Sequence, residues 1–219
     1  MKKIYAFIVA CFAFTASQAQ VYSFTSYNTD SETTVSKRYM GEANIGWTFG
    51  SGFKADGDKY DLNTNSVFFE TIHGARINKY AFAGLGVGFH YYYGFVEEEM
   101  YENKYGEYIG HWCGANNAPM AVPIFVNLKG FYPVNDKLKA YVSSNLGYAW
   151  AQAAYESGYY DYDYKGGFYG TFEAGIQWKK LNVGFGLTHQ TLKPDFDVDD
   201  DYNGKIKINN FSLKIGLCW

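Results

Sequence analysis

Long apolar runs are nearly absent from this sequence. After residue 19 no segment approaches the roughly 20 consecutive apolar residues that a membrane-crossing helix requires. If the chain spans a membrane, it does so with strands. Clusters or stripes of Lys and Arg are also missing, which removes nucleic acid as a partner class. No long segment carries the i, i+3, i+4 spacing of an amphipathic helix. Cysteine is rare, with three in the chain, and no His/Cys spacing resembles a known metal-ligand pattern, so neither a His/Cys metal site nor a cofactor is expected.

The start of the chain reads as an export signal. Lys2 and Lys3 precede an apolar stretch over residues 4–14, and Ser17-Gln18-Ala19 offers small residues at both positions that a signal peptidase inspects. Ile8-Val9-Ala10-Cys11 resembles a lipoprotein box, but the apolar core before Cys11 is very short and the apolar stretch continues past it. The expected organisation is a signal peptide over 1–19, a polar periplasmic segment over 20–36 and one β-domain over 37–219. Removing the signal lysines leaves 17 basic against 22 acidic residues, a net charge near −5. Cys113 and Cys218 then remain, and the strand map below sets them at opposite ends of the molecule, so no disulfide is expected.

What is present in abundance is aromatic and glycine: 22 Tyr, 18 Phe and 24 Gly favour strands and tight turns. Period-two alternation recurs in eight segments. The first sets Tyr39, Ala43, Ile45, Trp47 and Phe49 against Glu42, Asn44, Gly46 and Thr48. The second sets Val67, Phe69, Ala75 and Ile77 against Ser66, Phe68, Glu70, Ile72, Gly74 and Arg76. The third sets Leu85, Val87, Phe89 and Tyr91 against Phe82, Gly84, Gly86, Gly88 and His90. In the fourth, Met120, Val122, Ile124, Val126 and Leu128 oppose Ala121, Pro123, Phe125, Asn127 and Lys129. In the fifth, Leu138, Ala140, Val142, Leu146, Tyr148 and Trp150 oppose Tyr141, Ser143, Asn145 and Gly147. The sixth sets Phe168, Phe172, Ala174, Ile176 and Trp178 against Tyr169, Thr171, Glu173 and Gln177. The seventh sets Leu181, Val183, Phe185 and Leu187 against Asn182, Gly184, Gly186 and Thr188. The eighth sets Phe211, Leu213, Ile215, Leu217 and Trp219 against Asn210, Ser212, Lys214, Gly216 and Cys218.

Connections between these segments alternate in length. Asn78-Lys79, the turn over 133–136 and Lys179-Lys180 are tight, whereas 50–65, 94–118, 151–166 and 190–206 are long. Bacterial outer-membrane barrels show this asymmetry, with short periplasmic turns and long extracellular loops. The expected fold is an all-β, eight-stranded antiparallel up-and-down transmembrane β-barrel in the bacterial outer membrane. A soluble lipocalin-like barrel alternates as well. Three features favour lipid on the apolar face. The polar faces carry three acids and three bases (Glu42, Glu70, Glu173; Arg76, Lys129, Lys214), suited to a self-neutralising lumen. Glycines on that face make room for long side chains, and Tyr and Trp gather near strand ends.

Phe211, Leu213, Ile215, Leu217 and terminal Trp219 resemble the assembly signal of outer-membrane proteins: alternate apolar residues ending in an aromatic, here Trp in place of the commoner Phe. Over the mature chain the sequence resembles the small eight-stranded barrels of the OmpA, OmpX and Ail type. That resemblance implies the fold and insertion by the barrel-assembly machinery, with outer-membrane lipids and lipopolysaccharide as surroundings. It implies no activity, since such barrels host adhesins, structural proteins and lipid-modifying enzymes alike.

An eight-stranded barrel is just wide enough for side chains, so Glu42, Glu70, Arg76, Lys129, Glu173 and Lys214 are expected to fill it as an ion network; the rival reading is a proton or small-ion path. The four long loops hold 16 of the 22 acids. In the fourth, Asp199, Asp201 and Asn203 before Gly204 reproduce the opening of a calcium loop, but Asn210 stands where the bidentate Glu belongs, and an acidic loop closing on Asn-Gly explains the same letters. The third loop interleaves Tyr155, Tyr159, Tyr160, Tyr162 and Tyr164 with acids, a composition suited to recognising a surface protein or glycan. Extended strands pairing their aromatics across a hairpin account for it equally. No histidine lies in the His-x-Ser or Asp-Ser settings of lipid A-modifying barrels. The function expected is therefore non-enzymatic, structural or adhesive through the loops, against two alternatives: a lipid A-modifying enzyme and a small-solute channel.

Overall fold

The computed structural model describes residues 39–50, 53–55, 58–60, 64–93, 100–102, 108–110, 119–153, 162–196 and 205–219. Eight long antiparallel strands run up and down in chain order: Tyr39–Phe49, Ser66–Arg76, Ala81–Tyr92, Pro119–Pro133, Leu138–Ala153, Gly167–Trp178, Leu181–Phe196 and Ile206–Cys218. They are numbered one to eight below. Each pairs with its sequence neighbours, and the eighth returns to the first, residues 211–218 lying opposite 42–49. Reciprocal backbone bonds between Gly41 and Trp219, at 3.1 and 3.0 Å, extend this seam to the last residue. Closure leaves the barrel no free edge.

The register fixes the shape. Starting from Tyr39, partners lead round the barrel through Ala75, Ala83, Leu128, Ser144, Phe172, Leu187 and Phe211 to Phe49, ten residues beyond the start. Ten rises of about 3.3 Å over eight spacings of about 4.8 Å tilt the strands by about 40° and set a backbone radius of about 8 Å. The stagger is even, so one face of every strand points inward all the way round.

The three tight turns lie at one end, together with Tyr39 and Trp219. Asn78 Oδ1 accepts the Tyr80 N–H at 2.7 Å, and Asn135 Oδ1 accepts those of Lys137 and Leu138, each at 2.9 Å. Both are asparagine side chains standing in for backbone acceptors. Lys179 adopts φ 54°, the left-handed conformation that a two-residue hairpin demands. At the other end the long connections carry short strands, Phe53–Ala55 with Asp58–Tyr60 and Met100–Glu102 with Tyr108–Gly110, while Tyr162–Lys165 pairs with the end of strand seven.

Burial sorts the two faces as alternation does. Over the turn-side two-thirds, apolar side chains point outward: Leu85, Leu128, Val142, Phe172, Phe185, Leu213 and Leu217 are each 46% exposed or more. Polar ones point inward, with Glu42, Asn44, Glu70, Asn127, Lys129, Glu173, Asn182 and Lys214 at 3% or less. The outward band runs from Trp178, Tyr132 and Trp219 to Trp47, Tyr148 and Trp150. At the strand tilt this is about 25 Å, the height of a bacterial barrel's apolar belt. An outward face this apolar is incompatible with water.

Above the upper aromatics the sorting inverts. Leu192, Ile206 and Ile208 turn inward at 1% exposure or less, while Lys193, Lys205 and Lys207 face out. Strands seven and eight therefore continue to Phe196 and begin at Ile206, which corrects the expected long loop over 190–206 to a connection over 197–205. The strands outrun the bilayer, and in water a sheet buries its apolar residues inside. The second strand also stops one residue early, leaving Ile77 in the turn at 69% exposure.

Candidate functional site

The lumen is stratified along the barrel axis. Nearest the turns, Met40, Phe82 and Phe131 close the mouth. Arg76 lies here, half-buried, its guanidinium 5.4 Å from the Phe131 ring centroid and 3.5 Å from Met40 Sδ. Lys139, an inward cation that alternation could have flagged one step below Tyr141, stands 5.8 Å from the same ring.

The charged layer comes next. Lys129 pairs with Glu42 and lies 4.6 Å from the Tyr141 ring centroid. Lys214 reaches two carboxylates, Glu70 at 2.9 Å and Glu173 at 2.5 Å. Amides join the two ion clusters. Asn44 Nδ2 donates to Glu70 at 3.0 Å, and Asn182 Nδ2 sits 3.1 Å from Asn44 Oδ1 and 3.4 Å from Glu42 Oε2. Asn127 donates to Ser143 and Asn145 on the facing strand, at 2.8 and 2.5 Å. Five of the six expected ionic residues thus meet in one network, with Arg76 placed apart at the mouth. Glycine makes the crossing possible: a Cβ at Gly175 or Gly184 would collide with the Tyr141 ring or its hydroxyl.

Above the charges lies an aromatic layer. His90 stacks on Phe68 at 5.1 Å and meets the Tyr169 edge at 5.5 Å, and neither of its ring nitrogens has a hydrogen-bond partner among the described residues. Phe125 packs on Tyr169 at 5.6 Å, and the Tyr92 hydroxyl donates to Gln190 at 2.6 Å. Ala121, Ala149, Leu192, Ile206 and Ile208 finish the column. Alternation in the sequence places Phe68, His90, Ala121, Phe125 and Tyr169 on this inward face, whereas Tyr92, Ala149, Leu192, Ile206 and Ile208 are core residues it does not assign, although the parity of Tyr92 and Leu192 was an available signal.

Phe211, Leu213, Ile215 and Leu217 face outward at 42–70% exposure. Trp219 is half-buried, its indole covering Gly41 and standing 6.0 Å from His73 edge-on. His73 is bonded to the Tyr39 hydroxyl at 2.6 Å. Cys218 is free and buried at the turn end beside Asn182. Asp199, Asp201 and Asn203, with Gly204, Cys113, His111, Tyr155, Tyr159 and Tyr160, lie outside the described residues. Among the described residues no group of His, Cys, Asp and Glu is arranged to hold a metal ion.

No family model and no curated protein matches the chain. Among solved structures, Neisserial surface protein A aligns at 10% identity and TM-score 0.48, over 82% of this chain and 96% of that one. OprG of Pseudomonas aeruginosa aligns at 8% and 0.48, over 83% and 95%, and Ail of Yersinia pestis at 14% and 0.42, over 83% and 99%. With its apolar outer belt, aromatic girdles and polar lumen, this chain is an eight-stranded barrel of the bacterial outer membrane.

Proposed function

We propose that the protein is a closed-lumen surface scaffold, neither enzyme nor channel, whose barrel holds four acidic, Tyr-rich loops above the outer membrane for contact with a surface protein or glycan. One observation carries this reading: the lumen is occupied at every level, by Phe82 and Phe131, then the Glu42–Lys129 and Glu70–Lys214–Glu173 clusters, then Phe125, Tyr169 and His90. A hydrated ion would have to displace ion pairs and rings packed within a radius of about 8 Å. The loops then remain as the part of the chain placed to meet a partner beyond the membrane.

Planar-bilayer recording on the refolded chain tests the closed lumen, with no steps above bare-bilayer noise expected; reproducible channels from pure protein would overturn it. For the loops, cells expressing chains trimmed in each loop are compared for matrix and cell binding, alongside mass spectra of their lipid A. Lost binding with unchanged lipid A is the expected pattern. An acyl or phosphate change in lipid A that depends on the protein would replace the scaffold reading with an enzymatic one.

A further inference from the structure

The outer wall carries a depression in its apolar belt. A groove of about 500 Å³ opens between strands five and eight, walled by Leu146, Phe168, Phe172, Leu187 and Phe211. The register shows why it exists. One cross-strand row reads Leu146, Gly170, His189, Asn209, so a missing side chain at Gly170 opens the wall where its neighbours above and below, Phe168 and Phe172, project. A Cβ at Gly170 would meet the Phe168 ring at 3.0 and 3.1 Å.

The groove is not uniformly greasy. At its loop-side end His189 Nδ1 donates to Asn209 Oδ1 at 2.7 Å, with the Phe168 ring 5.8 Å from the imidazole. Two residues farther out along the same face stands Lys207, opposite Thr191 on one side and Lys54 on the other. Lys193 lies opposite Lys165, and Lys205 is exposed next to strand eight. Lys54, Lys193, Lys205 and Lys207 are all exposed. Like charges directly opposite across strands are destabilising, and Lys207 and Lys54 form such a pair beside the groove. Asp163 and Asp195 oppose each other one step beyond the Lys165–Lys193 pair, so the basic positions lie between the membrane and the acids.

Moving outward, the wall therefore offers an acyl-sized apolar slot, a polar pair at the belt's edge and cations about 7–10 Å above the upper aromatics, by strand rise and tilt. This is the profile of a phosphorylated lipid of the outer leaflet. We infer that strands five to eight form a binding site for the lipid A portion of lipopolysaccharide, with one acyl chain in the Gly170 groove and a phosphate over Lys193, Lys207 and Lys54. The site goes beyond the scaffold reading and is independent of the lumen.

The test uses the full chain refolded in phosphatidylcholine nanodiscs and titrated with bis-phosphorylated lipid A, its dephosphorylated form and phosphatidylglycerol, with retained lipid counted by native mass spectrometry. The wild type is expected to retain one lipid A per chain in preference to the other two. Each lysine neutralised should weaken binding about fivefold, so that Lys193→Gln with Lys207→Gln loses about 25-fold. The corresponding double arginine variant should bind as wild type. Gly170→Leu, which fills the slot while keeping every lysine, should also lose retention. Heat-modified gel migration establishes that each variant is a folded barrel. Equal retention by wild type and both variants would overturn the site. So would binding indifferent to the phosphates, or phosphatidylglycerol bound as well as lipid A.

Discussion

Replacing Lys214 by Met tests the charged layer directly. The ammonium is buried between Glu70 and Glu173, and Glu70 gains one further bond from Asn44. Met has similar length, so packing survives while two buried carboxylates lose their common counter-charge. Removing one partner of a buried ion pair costs about 3–5 kcal/mol. With a guanidinium slope of about 4 kcal/mol/M, the unfolding midpoint should fall by about 1 M. Reversible unfolding of the refolded chain, followed by tryptophan fluorescence and heat-modified migration, measures it. The variant that also carries Glu70→Gln and Glu173→Gln should recover most of the loss, because no uncompensated charge remains. A single-variant loss under about 1 kcal/mol would mean that the carboxylates are hydrated, and both the dry lumen and the non-conducting reading would fall with it.

Deleting Trp219, or replacing it with Asp, removes the indole over Gly41 and the final aromatic of the assembly signal. Secretion across the inner membrane should be unaffected while the heat-modifiable barrel falls in outer-membrane fractions; normal levels would count against the signal. Lys179→Gly relieves a non-glycine residue at φ 54° and should stabilise the barrel by about 1 kcal/mol in the same unfolding assay. Gly184→Leu places a side chain where the Tyr141 hydroxyl lies. It should destabilise by about 1–3 kcal/mol through overpacking, and a neutral result would mean that Tyr141 does not cross the lumen.

Alternation made the inward and outward faces legible because parity is a property of neighbouring letters. Height within the barrel is not, since it depends on the ten-residue stagger that emerges only when all eight strands pair. Arg76 shows the difference. Its parity places it in the lumen with Glu42 and Glu70, but its height sets it beside Phe131 at the mouth. Lys139 differs, since its parity, between Leu138 and Ala140 and one step below Tyr141, was legible in the sequence while its height beside Phe131 was not. Apolar-out alternation reads the region above the membrane as loop because strands seven and eight keep their parity while the chemistry of the two faces exchanges: Leu192 and Ile208 point in, Lys193 and Lys207 out. A search for apolar-out alternation ends where the lipid ends. The groove at Gly170 was invisible for want of a cross-strand register.

The seam between the first and last strands sets the order in which the molecule can be completed. Asn182 to Glu42, Lys214 to Glu70 and Asn210 to Thr48 and Thr64 all join residues more than 130 positions apart. Contacts this remote form late. Until the two edges meet, an open sheet presents Glu70 without the Lys214 that neutralises it, on a face that would otherwise turn toward hydrocarbon. A partly closed intermediate is thereby penalised in lipid, and the ion pairs act as a checkpoint that makes closure close to all-or-none.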